Sequence, residues 1–212
     1  MSDARLSRIA LLTLVVGLGV LILAVAWGGA VYPGYDHTRQ FMSELGATGA
    51  PTGPSVSTWG FVPNGVLITL FCLLAAWILR GSRLAVAACL LLALNGVGMT
   101  GAGVYPCDFE CSRSDPSDAA LLHDLFAVAG YLCAILGVAL AAAWARKSDA
   151  SFLAPLGLIV LIVSIVGLSA VVAELEFAGL HQRVMEAALG VFMLALGWPL
   201  VKGARGLGSE RG

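Results

Sequence analysis

The sequence predicts an all-α polytopic membrane bundle: six transmembrane helices in three hairpins, with a short interfacial helix in the first outer loop. Composition is the first observation. The 212 residues are 59% hydrophobic and 12% charged, with a mean hydropathy of +0.91, whereas soluble domains carry about a quarter charged residues. The second is a set of six apolar runs, each near the roughly 20 residues a helix needs to cross about 30 Å of hydrocarbon. The third is the lack of period-2 alternation, which excludes a membrane barrel. A net charge of −1 leaves no basic excess for a nucleic-acid partner. A chain this short and apolar reads as a single integral membrane domain, 1–212.

In chain order the spans are Ile9–Val31, Trp59–Leu79, Leu84–Tyr105, Leu122–Trp144, Phe152–Val172 and Val184–Val201, the last extending back toward Leu180 on the other reading of its start. Arg5, Arg8 and the small residues Ala24-Val25-Ala26 also have the form of a signal peptide. The apolar run continues to Val31, however, so the segment is read as a retained span. Span three is narrow, with Gly96, Gly98, Gly101 and Gly103 suited to close helix packing. Within it Asn95 is expected to hydrogen-bond a neighbouring helix at Ser164 or Ser169, or else to line a polar pocket with Asn64. Gly28–Pro33 and Gly101–Pro106 resemble each other at the ends of spans one and three. Local helix-end chemistry explains this as well as a duplicated hairpin does.

Basic residues set the expected orientation. Arg5, Arg8, Arg80, Arg83, Arg146, Lys147, Lys202, Arg205 and Arg211 fall on one side of a six-span chain, and only Arg39, Arg113 and Arg183 on the other. By the positive-inside rule both termini are cytoplasmic, in a plasma membrane whose lipid is the first partner. The Arg-over-Lys and Ala/Gly bias points to a bacterial source.

The longer outer loops hold the unusual residues. In the first, Asp36 is placed to cap a short helix over His37–Leu45, which Gly46 would end. Phe41, Met42 and Leu45 share one face of that helix, which would lie on the membrane or fold over the bundle mouth. The stretch Tyr35-Asp36-His37-Thr38-Arg39-Gln40-Phe41-Met42-Ser43-Glu44-Leu45-Gly46-Ala47 resembles the signature of a prokaryotic membrane family catalogued as domain of unknown function 998. Tyr105-Pro106-Cys107-Asp108, Leu122-His123 and Gly179-Leu180-His181-Gln182-Arg183 also resemble that family's outer motifs. Met42 replaces a frequent Ile, and His181 a bulky apolar residue, so a role for His181 common to the family does not follow. The resemblance covers nearly the whole chain and implies six spans, but no reaction.

Two constellations carry chemistry. Asp36, Arg39, Gln40, Ser43 and Glu44 of the first loop, with Asn95, Gln182, Arg183 and Glu186, form a candidate ligand site. Arg39 and Arg183 would clamp a phosphate or carboxylate, with Arg183 also placed to pair with Glu186 at i, i+3. An arginine–carboxylate clasp holding loop one to the third hairpin is the structural alternative. The second constellation is His37, His123 and His181, one per hairpin, which with a carboxylate would bind zinc for a hydrolytic reaction. No local ligand pair or nucleotide-binding motif accompanies them. Cys107 and Cys111 are expected to form a disulfide outside the cytoplasm, while Cys72, Cys89 and Cys133 read as buried apolar residues.

The function read from these residues is binding of a lipid headgroup or small anionic ligand at an outward-facing polar site, with no cofactor. A zinc-dependent membrane hydrolase is the alternative. A small transporter ranks third, because no span centre carries an evident coupling charge. Neither a protein partner nor an oligomeric state is legible.

Overall fold

Six apolar stretches become six long helices, and the computed structural model describes residues 3–209, with side chains through Val201. The helices are α1 (Asp3–Val31), α2 (Gly53–Ile78), α3 (Arg83–Val104), α4 (Asp118–Ala145), α5 (Leu153–Val172) and α6 (Ala178–Ser209). Each contains a segment long and apolar enough to cross a membrane. The chain is thus an all-helical, multi-pass membrane protein. The side chains of Lys202, Arg205 and Arg211, part of the basic flank noted above, lie outside this description.

The boundaries move outward from the hydropathy limits for specific reasons. α2 begins at Gly53 because Pro54 suits a first helical turn, which needs no proline N–H. Its Ser57–Phe61 stretch is a π-turn just before Pro63, where the missing N–H disrupts the regular ladder. Ser117 caps α4 by accepting from Ala120 N at 3.1 Å, while Asp108 in turn accepts from both the amide and hydroxyl of Ser117. α6 begins at Ala178, six residues before Val184, because its polar first turns find partners in loop one.

Consecutive helices pack on one another, and α1 packs on α6 to close the ring. Glycines set the closest approaches. A Cβ on Gly96 would come within 2.7 Å of Gly65 O, and one on Gly98 within 2.6 Å of Phe126 O. The interior is filled by Leu14, Phe71, Leu92, Val138, Leu153, Met185, Phe192 and Leu196. Large apolar side chains also point away from the bundle, such as Trp59 at 76% and Leu23 at 70% exposure. A lipid-facing surface requires that arrangement, which water would penalise.

At one end the first, third and fifth connections (32–52, 105–117 and 173–177) knit into a lid. Thr48 N donates to Cys107 O at 2.8 Å, joining the first loop to the second. Arg113 joins the second to the third through Val172 O at 3.0 Å and Glu174 at 3.1 Å. Arg39 joins the first to the third through Glu176 at 2.9 Å.

The expected interfacial helix over His37–Leu45 is replaced by turns and a short 3₁₀ segment, Ser43–Gly46. Asp36 Oδ1 accepts from Thr38 N at 2.8 Å and Thr38 Oγ1 at 2.6 Å, a local turn that competes with helix formation. The carbonyls a helix would use internally also have other donors. Thr38 O accepts from Leu180 N at 2.8 Å and Arg39 O from Gly179 N at 3.2 Å. Met42 and Leu45 are nevertheless buried, so the apolar residues anchor the segment without a helix.

Candidate ligand site

The lid is built on the first turns of α6. Their N–H groups have no acceptor within the helix, and loop one supplies carbonyls to two of them. Close backbone contact requires Gly179, because any Cβ there would overlap the backbone of Gln40. One turn further on, Arg183 reaches back toward the helix start, the direction in which helical side chains lean. Its Nη1 donates to Gln40 O and Gly179 O, each at 2.9 Å, and its Nη2 to Tyr35 Oη at 2.6 Å. The guanidinium also lies 5.6 Å from the centre of the Tyr35 ring. Tyr35 passes its own proton to Phe41 O at 2.6 Å. Burial pushes the Tyr35 phenol up to about 12 despite the nearby arginine, so it stays neutral.

Other predicted site residues complete this clasp. Gln182 Oε1 accepts from Met42 N at 2.7 Å. Glu44 accepts from Phe41 N and Gln40 Nε2, both at 2.8 Å. Desolvation nevertheless raises the Glu44 carboxyl above its ordinary range. Asp36 is held below its ordinary value by its bonds from Thr38. Arg39, by contrast, lies on the open face between Glu176 and Asp36, 5.7 Å from the Phe177 ring. The two arginines therefore do different jobs.

The anticipated Arg183–Glu186 pair does not form. Glu186 instead accepts from Tyr131 Oη of α4 at 2.5 Å. Because α6 begins at Ala178, Glu186 lies about 12 Å along the helix at 1.5 Å per residue, deeper than an interfacial position. Asn95 makes no bond to Ser164 or Ser169, and Ser164 Oγ is buried without a partner. Asn95 instead lines two small cavities. One, of about 40 Å³, includes Ser43, His123, Tyr131 and Gln182, and the other, of about 20 Å³, includes Asn64 and Glu186. Asn64 donates to Gly17 O at 2.9 Å.

A larger groove of about 630 Å³ opens sideways between α1 and α6. Leu18, Leu21, Ile22, Val25, Val191 and Leu194 form its apolar walls, while His37 and Arg183 stand with Glu186 as its polar groups. Burial and the charge of Arg183 lower the affinity of His37 for a proton. Among the described residues Arg183 makes no salt bridge, and its Nε is buried with no hydrogen-bond acceptor.

The three histidines do not come together as a metal-binding group among the described residues. His37 stands edge-on to Tyr35 at 5.1 Å, His181 Nδ1 pairs with Phe177 O at 2.8 Å, and His123 Nδ1 with Ala102 O at 2.9 Å. The expected disulfide joins Cys107 to Cys111. Sequence reasoning missed Tyr35 and Tyr131. A tyrosine hydroxyl far inside an apolar span was the available signal for Tyr131, since such a group needs a buried partner.

These features define a multi-pass helical membrane protein with a three-loop lid above polar cavities and a lateral apolar groove. The chain belongs to the family described as "Protein of unknown function (DUF998)", whose family model matches residues 15–199. No curated protein and no solved structure matches it.

Proposed function

We propose that the protein binds an anionic membrane lipid, with its chain in the α1–α6 groove and its headgroup beside Arg183 and His37. Arg183 carries the reading. A half-buried cation without a carboxylate partner is costly in a low-dielectric setting, and an anionic oxygen at the groove mouth would offset that cost. Arg183 stands at the groove with no counter-charge, and the apolar walls suit an acyl chain. Glu186 also lines the groove, where it would meet the ligand's linkage region. On the positive-inside expectation both termini are cytoplasmic and the lid faces the far side.

Native mass spectrometry of the full chain with phosphatidylglycerol tests this reading. One retained phospholipid per chain is expected, with much weaker retention of phosphatidylcholine. Val191→Trp, which fills the groove about two helical turns from Arg183, should abolish retention. Equal retention by that variant, or no preference for the anionic lipid, would overturn the proposal.

A further inference from the structure

The sulfurs of Cys107 and Cys111 and one imidazole nitrogen of His123 lie within 4.8 Å of one another. This cluster is separate from the lipid groove. We propose that it is a thiol-gated site for a thiophilic d¹⁰ cation, with zinc as the probe, filled when the disulfide is reduced. Backbone carbonyls hold the ring of His123 in place. Its Nδ1 faces two backbone carbonyls, Ala102 O at 2.9 Å and Tyr105 O at 3.0 Å. That pairing places the ring proton on Nδ1 and leaves the lone pair on Nε2, as in many metal-binding histidines.

Cys107 and His123 are buried, whereas Cys111 lines both a small cavity under the lid and the open cleft above it. The cleft gives an ion a path inward. Ser43 Oγ lies 3.3 Å from Cys111 Sγ, so a further polar group borders the cluster. Only Asp108, Phe109 and Glu110 separate the two cysteines in the chain.

The chemistry balances with a dithiol as reductant. It gives two electrons and two protons to the S–S bond, yielding two cysteine thiols and its own disulfide. A divalent ion then forms two S–metal bonds, releasing those two protons, while the imidazole donates a lone pair and releases none. Bound metal and intact disulfide therefore exclude one another.

The full-length protein in detergent is reduced, freed of reductant and titrated with Zn²⁺ in parallel with oxidised protein. One equivalent is expected in the reduced sample and none in the oxidised one. His123→Gln should weaken binding on the order of tenfold or more, and C107S/C111S should abolish it. On unmodified protein, zinc should protect Cys107 and Cys111 from alkylation, with Cys72, Cys89 and Cys133 as internal controls. Equal binding by oxidised protein, or no protection of this pair, would refute the site even if the His123 variant failed to fold.

Discussion

Tyr131 of α4 donates its hydroxyl proton to Glu186 of α6 at 2.5 Å, joining two helices that are not sequence neighbours. A carboxyl group inside a membrane bundle is costly without such a donor. Phe at 131 would keep the ring and remove the proton. Tyr131→Phe is expected to cost about 1–2 kcal/mol in thermal unfolding. Glu186→Gln should cost less, because an amide oxygen still accepts. The double variant should cost less than the sum of the singles, which a double-mutant cycle would show.

Gly179 is where the lid touches α6 most closely, and a methyl group there has no space beside Gln40. Gly179→Ala is therefore expected to loosen loop one, at a cost of about 1–3 kcal/mol. Limited trypsin digestion at Arg39 should become faster. Gly29→Ala would meet only the His37 ring, a side chain able to turn aside, and should leave digestion nearly unchanged.

Glu44 gives the lid a defined pH response. Burial raises its folded-state pKa above the ordinary 4.5, so the folded chain holds that proton more tightly than the unfolded one. Its contribution is most favourable below 4.5 and is lost as pH rises through the raised value. Asp36 and Asp108 have lowered values, so theirs is present above 3.8 and lost as pH falls. Melting temperatures measured from pH 4.5 to 7 should fall more for the wild type than for Glu44→Gln. A constant difference between the two would contradict the assignment.

The bundle was legible because lipid imposes one rule on every residue of a span: the backbone must be satisfied within a helix and the side chains must be apolar. The lid was only half legible. Met42 and Leu45 share an apolar side in the sequence and are buried, but local pattern could not show that the carbonyls of Thr38 and Arg39 would be taken by α6 and the expected helix lost. The same limit applied to Glu186. Its i, i+3 neighbour Arg183 was visible in the sequence, whereas Tyr131, 55 residues away, was brought to it only by packing.

Arg39 and Arg183 looked equivalent as two outer cations, and their surroundings make them opposites. Arg39 and Glu176 have side chains 58% and 63% exposed, and pairs of this kind are worth about 0–1 kcal/mol. Arg183 holds two carbonyls and the Tyr35 hydroxyl in one planar fork, a geometry that lysine cannot copy. Arg39→Ala should thus leave the melting temperature nearly unchanged. Arg183→Ala should lower it strongly, by about 3 kcal/mol or more in stability, because three acceptors lose their donor. Arg183→Lys should recover only part of that loss. Matching losses at the two positions would mean that the lid is held by net positive charge at its rim, and that the fork geometry at Arg183 is not what fastens loop one to α6.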